Sequence, residues 1–304
     1  MKSILKKRAQ EVNFIFLKKT KGETILHWVV FAIFSVLAFT YVLPLLWLLV
    51  QSLHDPSLYQ FLLLFEGPLA LPEKLHFENY IDAFSMLKDN NVTFLGMFVN
   101  SMWYIVIAET WCTFWPVLVG YIFSKYQFKG RTLIYSLILF TMMVPLAGGT
   151  SGSFIKLIEA LGIYDTGPLF VIVTGIGGLS GSLLVYLGIF NSIAWDYAES
   201  VFIDGGGHFT AFWRIMLPQA MPAIGALMIG SLAGFWNDYE QFLLYMPSTP
   251  TVASGIYKVS LTAGRFGAPL YYACLMFVTL PVLLIYAIFS EKIMKNLAVG
   301  GLKG

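Results

Sequence analysis

The chain has 304 residues, of which 58% are hydrophobic and 12% are charged, and its mean hydropathy is +0.73. Soluble globular domains carry about 25% charged residues, so this chain has too few charges to cover a surface that faces water. The formal net charge of +2 gives no reason to expect a nucleic-acid partner. The composition therefore predicts a protein embedded in a lipid bilayer.

The first 50 residues combine a basic arm with an apolar run. The arm, residues 1–26, holds seven Lys or Arg residues, and the run covers residues 27–50. A secretion signal has an apolar core of about 7–15 residues, followed by a cleavage site of small residues. This run is longer and no such site follows it, so we expect a retained first membrane helix. We expect the arm to lie in the cytosol on anionic membrane lipid.

Further apolar runs recur along the chain. A helix needs about 20 apolar residues to cross the hydrocarbon core of a bilayer. Strands of a membrane barrel alternate apolar and polar residues over about 10 positions, whereas these runs are continuous. The pattern predicts an all-α, polytopic membrane protein with about six transmembrane helices, at residues 27–50, 96–123, 132–147, 168–190, 220–244 and 271–290.

The basic residues predict the orientation of these spans. With both termini in the cytosol, 14 of the 19 Lys and Arg residues lie in inside segments, as the positive-inside rule requires. Five or seven spans remain open as alternatives. A short helix is expected in the first outside loop, at Phe77 to Leu87. The predicted organisation is a cytosolic arm, a first helix with its extracellular loop, a membrane core and a cytosolic tail, at residues 1–26, 27–95, 96–290 and 291–304.

A polar stretch, residues 191–222, separates the fourth and fifth predicted spans. Apolar residues three and four positions apart predict a short amphipathic helix in its first half. Glycines after Asp204 predict a helix stop and a turn. Four apolar residues at helical spacing then predict a second helix, and Pro218 and Pro222 mark the entry to span five. These apolar positions are Trp195, Ala198 and Phe202 in the first helix and Phe209, Phe212, Trp213 and Met216 in the second. Such a hairpin either lies in the lipid interface or docks a cytosolic partner, and the pattern alone leaves both open.

The spacing of this hairpin resembles the EAA loop of the permease subunits of ABC importers. The matching residues are Glu199-Ser200-Val201-x-x-Asp204-Gly205-Gly206 and, nine residues later, Ile215-x-Leu217-Pro218. The family has alanines where this chain has Ser200, Val201 and Gly206. These departures keep the Asp-Gly turn and change the helix packing around it.

Other segments are similar to the MalG-like permeases of carbohydrate importers, from about residue 77 to the end of the chain. The matching segments are Phe77-x-Asn79-Tyr80, Asn100-Ser101, Gly120-Tyr121-x-Phe123-Ser124-Lys125-x-x-Phe128-x-Gly130-Arg131, Leu161-Gly162-Ile163-x-x-Thr166, Trp236-Asn237-Asp238-Tyr239 and Gly300-Gly301-Leu302-Lys303-Gly304. The resemblance implies a subunit of the bacterial plasma membrane that transports sugars, most simply oligosaccharides.

The resemblance also implies partners. A second, homologous permease forms a heterodimer with this one, two cytosolic ATPase subunits dock on the two hairpins, and an extracellular solute-binding protein delivers the sugar. The hairpin residues expected to couple ATPase motion to the membrane helices are Glu199, Asp204, Gly205, Phe209, Phe212, Leu217 and Pro218. For Asp204, ordinary helix capping is an equal alternative. The tail at 291–304 is expected either to reach the ATPases or to fray as chain ends do.

The chain is not expected to be an enzyme or to bind a cofactor. It contains no Gly-Lys dipeptide and hence no Walker A loop, so ATP and Mg²⁺ are expected to be used by the separate ATPase chain. Its four histidines show no spacing typical of metal ligands, which also argues against a membrane-embedded enzyme. Neither inverted repeats nor interrupted helices are evident, which argues against a secondary transporter. A permease of the same family for another solute remains an alternative.

Three acidic residues, Glu109, Asp238 and Glu240, fall inside predicted spans. A charge at the centre of a bilayer costs about 2.5–3.5 kcal/mol on insertion scales, so these side chains are expected to face protein or a cavity. Aromatic faces and polar acceptors suit a sugar, and a candidate substrate path is Trp236, Asn237, Asp238, Tyr239 and Glu240. The alternative is a polar contact that fixes helix packing, which is the role expected for Glu109. Whether the sugar site lies in this subunit or in its partner is left open.

Overall fold

The structure is a computed structural model, and it describes residues 21–143, 152–175 and 179–300. Helices dominate these residues. In chain order they are α1 Lys21–Gln51, α2 Tyr59–Phe65, α3 Glu78–Met86, α4 Phe94–Lys125, α5 Arg131–Met143, α6 Gly152–Ala160, α7 Pro168–Gly175, α8 Leu179–Ser192, α9 Asp196–Ile203, α10 His208–Ala211, α11 Leu217–Asn237, α12 Glu240–Leu244, α13 Val252–Phe266 and α14 Ala268–Gly300. A five-residue π turn, Phe212–Met216, joins α10 to α11.

Three helical stretches among the described residues are long and apolar enough to cross a bilayer. They are Gly22–Gln51, Phe94–Lys125 and His208–Asn237. Shorter apolar helical segments lie at three other predicted spans, at Arg131–Phe140, Ser182–Ser192 and Ala268–Leu284. A membrane protein is therefore confirmed, and the count of six spans stays a prediction.

Helix α1 is apolar around its whole circumference. Residues 22–44 are all exposed, so the helix offers its surface to lipid or to another chain. Its far end is fixed to the rest of the molecule. The indole N–H of Trp47 donates to the carbonyl oxygen of Pro68 at 2.7 Å, and its ring lies 5.4 Å from that of Tyr272 in α14.

Helix α4 is the centre of the membrane core and packs against α7, α8, α11 and α13. Its closest approach is to α8. A Cβ atom added at Gly120 would lie 3.1 Å from the backbone nitrogen of Leu187 and 3.1 Å from Cβ of Tyr186. Glycine at this position therefore allows the two helices to touch through their backbones.

The loop that follows α1 folds back onto the end of that helix. The short helix predicted at Phe77 to Leu87 is confirmed as α3, and the side-chain amide of Asn79 donates to the carbonyl oxygens of Ser52 and His54, both at 2.8 Å. A two-residue antiparallel pair, Lys88–Asp89 with Val92–Thr93, follows α3. The all-α prediction missed this pair, because its signal is only two residues per strand around a tight turn.

Two predicted spans differ from single straight helices. The span at 168–190 corresponds to α7 and α8, and residues 176–178 between them lie outside the described residues. The prediction of one helix over 220–244 is wrong, since α11 ends at Asn237 and α12 starts at Glu240. Asp238 is extended there, with φ −72° and ψ 104°. Its carboxylate accepts from the backbone N–H of Gln241, in the first turn of the new helix, at 3.4 Å.

Some predictions fall on chain that the structure does not describe. These are the basic arm up to residue 20, the end of the predicted span at 132–147 from residue 144 onward, and the last four residues of the tail. The rest of the predicted tail is helical, since α14 continues to Gly300. The expected place of this tail in the cytosol, near the ATPases, stays a prediction.

Candidate functional site

The predicted turn of the hairpin is a Schellman motif at the end of α9. The N–H of Gly205 donates to the carbonyl oxygen of Phe202 at 3.1 Å, and the N–H of Gly206 donates to that of Val201 at 2.8 Å. Gly205 has a φ of +79°, which a side chain with a Cβ rarely adopts. The amphipathic helix and the glycine turn of the first half are confirmed.

The second half of the hairpin does not form a separate helix. Residues His208–Asn237 form one unbroken helical stretch, in which the π turn precedes Pro218. The N–H of Leu217 donates to the carbonyl oxygen of Phe212, five residues back. The prediction of a second helix separate from span five is wrong, because the wider π turn accommodates Pro218, which has no N–H.

The four apolar residues predicted to form one stripe on the second helix lie on two different faces. Phe212 and Met216 are buried, and the ring of Phe212 lies 4.7 Å from that of Tyr121 in α4. Phe209 and Trp213 lie on the outer face, with 76% and 43% of their surface exposed. The predicted single stripe therefore consists of two residues that face the core and two that are exposed.

The outer face of the hairpin is apolar with acidic residues beside it. We call this surface the hairpin face, and it comprises Tyr197, Glu199, Ile203, Asp204, Phe209 and Trp213, all of them exposed. The carboxylates of Glu199 and Asp204 make no hydrogen bond or ion pair with another described residue. Asp204 forms the end of α9 through its backbone, so the structure gives its side chain no capping role.

The inner face ties the hairpin to the end of α4. Ala198, Val201 and Ala211 pack in one core cluster with Tyr121. The ammonium of Lys125 donates to the carbonyl oxygen of Ile193 at 2.5 Å. Further hydrogen bonds at this junction join Ser124 to Asn191 at 2.8 Å and Tyr126 to His208 at 2.9 Å. The hairpin is thus attached both to α4 and, without a break, to α11.

A cavity of about 480 Å³, which we call the Asp238 cavity, lies at the other end of α11. The hydroxyl of Tyr104 donates to Oδ2 of Asp238 at 2.5 Å. The lining combines aromatic rings with polar and acidic groups and comprises Tyr104, Ala108, Cys112, Phe154, Phe170, Val171, Thr174, Gly175, Phe235, Asp238, Glu240, Gln241 and Tyr245.

Two of the five predicted path residues, Asp238 and Glu240, line this cavity. The other three have different surroundings. Trp236 is buried with its ring 6.0 Å from that of Phe98. The amide of Asn237 donates to the carbonyl oxygen of Ala233 at 2.9 Å, and Tyr239 stacks on the ring of Tyr257 at 4.5 Å.

Three aromatic residues of the lining come from helices far apart in the chain and were missed. Tyr104 is in α4, Phe154 in α6 and Phe170 in α7. Each is an aromatic residue in or beside an apolar run, which is the usual composition of a membrane core, so the sequence held no signal for them. Across the three described stretches, no group of three or more His, Cys, Asp and Glu side chains is placed to hold a metal ion.

Comparison with known proteins assigns the chain to a family. Residues 116–295, more than half of the chain, match the model of the binding-protein-dependent transport system inner membrane component. This match includes the hairpin and Asp238.

Curated relatives extend the similarity over most of the chain. The diacetylchitobiose uptake system permease protein NgcG of Streptomyces coelicolor is 26% identical over 269 residues, which cover 85% of this chain and 83% of that protein. The arabinooligosaccharides transport system permease protein AraQ of Bacillus subtilis is 28% identical over 278 residues, covering 89% and 94%.

Solved structures share the fold. A chain in the crystal structure of a bacterial ABC transporter involved in the import of the acidic polysaccharide alginate matches with a TM-score of 0.69 and 19% identity, over 90% of this chain and 98% of its own length. A second alginate transporter structure, in complex with an alginate pentasaccharide-bound periplasmic protein, matches with a TM-score of 0.59 and 17% identity, over 91% and 99%.

The resemblance read from the hairpin and its companion motifs is confirmed. The chain belongs to the family of binding-protein-dependent transport system inner membrane components and is a multi-pass permease of the bacterial plasma membrane.

Proposed function

We propose that the chain is the permease subunit of an ATP-driven importer for uncharged oligosaccharides. One observation carries this proposal. A single helical stretch, His208–Asn237, has the exposed hairpin face at its start and the Asp238 cavity at its end. At 1.5 Å per residue it is about 45 Å long, so a displacement applied at the hairpin is transmitted along it to the cavity.

The cavity suits a sugar. Its volume lies in the usual range of ligand pockets, about 300–1,000 Å³. Rings such as Phe170 and Tyr245 can stack on the apolar C–H face of a pyranose, while Gln241 and the two carboxylates accept hydroxyl hydrogens. The relatives named for diacetylchitobiose and arabinooligosaccharides support an oligosaccharide as the cargo.

The charge of the lining favours an uncharged cargo over an acidic one. Asp238 and Glu240 are both acidic, and the lining residues that the structure describes include no Lys or Arg. A uronate carboxylate entering this cavity would be repelled by both. In this respect we expect the chain to differ in substrate from the alginate transporter whose fold it shares.

The hairpin face supports a separate ATPase as the source of motion. Its apolar residues Ile203, Phe209 and Trp213 are exposed, and two free carboxylates stand beside them. An exposed apolar patch with a polar rim is typical of a protein interface. In the proposed complex, ATP and Mg²⁺ are bound and used by two ATPase subunits, and this chain binds no cofactor itself.

The proposed importer contains further chains. A second permease pairs with this one in a heterodimer. The exposed apolar surface of α1 is covered by this partner or by lipid. An extracellular solute-binding protein delivers the sugar, a role supported by the periplasmic protein in the alginate complex. Six spans with both termini in the cytosol place the hairpin on the ATPase side.

Uptake by the reconstituted importer tests the function. The purified complex in proteoliposomes, with its binding protein and internal ATP, is expected to accumulate at least one of labelled diacetylchitobiose, arabino-oligosaccharide and galacto-oligosaccharide, and no galacturonate oligosaccharide. Vesicles without ATP are the control. ATP-independent accumulation, or accumulation of none of the neutral sugars, would contradict the proposal.

A further inference from the structure

Glu109 lies halfway along α4 and is a buried carboxylate that the proposed sugar cavity does not use. The residue is 5% exposed. Its Oε1 accepts from the hydroxyl of Ser231 in α11 at 2.6 Å, and the hydroxyl of Thr113 stands 3.5 Å away. Its Oε2 is buried and has no hydrogen-bond partner among the residues that the structure describes.

A helix-packing role accounts for only part of this arrangement. Ser231 has one hydroxyl hydrogen, and the carbonyl oxygens of Leu227 and Met228 in its own helix compete for it at 3.2 and 3.0 Å. A contact that only joins α4 to α11 needs one weak acceptor. It does not need a carboxylate, whose unpaired second oxygen costs about 1–3 kcal/mol when buried.

Glu109 also lines a second cavity, of about 330 Å³. The residues around it are polar for a membrane interior and include Thr113, Ser182, Tyr186 and Ser231. Two residues, Cys112 and Phe235, line both this cavity and the Asp238 cavity. The two cavities are therefore neighbours, and together they extend from the end of α11 to the middle of α4.

We propose that Glu109 is the hydroxyl-accepting residue of a second saccharide subsite, entered from the Asp238 cavity past Cys112 and Phe235. This inference rests on the proposed function, and its ligand is the same uncharged oligosaccharide. Oε1 is held by Ser231, and Oε2 accepts a sugar hydroxyl. A sugar leaving the first cavity exchanges its hydrogen bonds to Asp238 for a bond to Glu109, so its hydroxyls keep an acceptor as it crosses the apolar region.

Cys112 provides a direct probe of occupancy, because its thiol lines both cavities. The complete importer is reconstituted with Cys274, the second cysteine of this chain, changed to Ala and the partner chains free of reactive cysteine. Labelling of Cys112 by aminoethyl methanethiosulfonate during ATP turnover is measured against the concentration of whichever sugar the wild type transports. Cys112→Ser serves as the zero-label control.

The expected result separates binding from structure. Wild-type Cys112 is protected by the sugar, and Glu109→Ala lowers both protection and uptake about tenfold or more, as the loss of a charge-assisted hydrogen bond predicts. Glu109→Gln keeps the shape and the bond from Ser231, so it guards against a folding defect. It should still raise the sugar concentration for half-protection about fivefold, because a neutral acceptor is weaker.

Two outcomes would overturn the inference in distinguishable ways. If wild type transports a sugar and both Glu109 variants keep its uptake and its protection of Cys112 within twofold, Glu109 only packs helices, and the proposed function stands. If wild-type vesicles transport none of the neutral sugars, the proposed function fails and the subsite falls with it.

Discussion

At the residue scale, the turn of the hairpin places three consecutive glycines in three different environments. Gly205 has a φ of +79° and open space where a Cβ would be. Gly206 has a normal φ, but a Cβ there would lie 2.5 Å from Cγ1 of Val201. Gly207 is extended, with φ −94°, and a Cβ would meet nothing within 4 Å. Substitutions at these adjacent positions can therefore test backbone strain at Gly205, side-chain collision at Gly206 and, at Gly207, a change that causes neither.

Replacing Gly205 by Val should uncouple transport from ATP hydrolysis. A β-branched residue at this φ costs about 1–3 kcal/mol, so the Schellman turn will open and the hairpin face will lose its shape. We expect uptake per ATP hydrolysed to fall at least about tenfold, with the protein still inserted. Gly207→Val is the matched control and should transport normally; equal activity of the two variants would exclude a role for the turn geometry.

Gly206 lies against the larger Val201, and the family has alanine at both positions. Gly206→Ala should lower the thermal unfolding midpoint of the complex, because the new methyl overlaps Val201 and overpacking costs about 1–3 kcal/mol. The double variant Val201→Ala/Gly206→Ala removes the side-chain overlap and should recover most of the loss. Additive destabilisation in the double variant would show that the two positions are independent.

At the element scale, the contact between α4 and α8 depends on the small size of Gly120. Neighbouring backbone atoms of α8 stand 3.1–3.2 Å from the position of its Cβ, so they cannot move aside as a flexible side chain could. By contrast, Gly188 on α8 is exposed and has no atom within 4 Å of its Cβ position.

Gly120→Val should therefore separate the two helices and lower the unfolding midpoint of the purified complex by several degrees. Gly188→Val is the same substitution at a position where the added side chain meets no other atoms, so it should leave the midpoint nearly unchanged. A drop of similar size in both variants would mean that valine disturbs any helix here, through propensity rather than through the α4–α8 contact.

Elements were predictable from the sequence to different degrees. The helix of Asp196–Ile203 and its glycine stop are local features, fixed by apolar spacing and by the positive φ of Gly205, and both were predicted. The continuity of α10 with α11 was not predicted, because a proline such as Pro218 normally interrupts a helix unless a π turn precedes it. The break at Asp238 was also missed. Its carboxylate accepts a hydrogen bond from Tyr104, a residue 134 positions away, which no local pattern indicates.

At the scale of the whole molecule, distant residues build the candidate sugar path. Each motif that identified the family is a short, local run of residues, so the resemblance could be read directly. The cavity could be read only in part, through Asp238 and Glu240, since its aromatic wall comes from α4, α6 and α7. The second cavity at Glu109 required the contact of α4 with α11, and the sequence favoured a structural role for that residue.

In the proposed importer, the hairpin face is the docking surface of an ATPase and is joined by one helix to the cavity. Single cysteines at Ile203 and Leu64 test this most directly, because both residues are large, apolar and more than 80% exposed, and they lie on opposite sides of the predicted membrane topology. With a short bifunctional maleimide and the intact importer, we expect Ile203→Cys to cross-link to an ATPase subunit and Leu64→Cys not to. Cross-linking from Leu64 alone, or from neither position in a complex that hydrolyses ATP, would contradict the account.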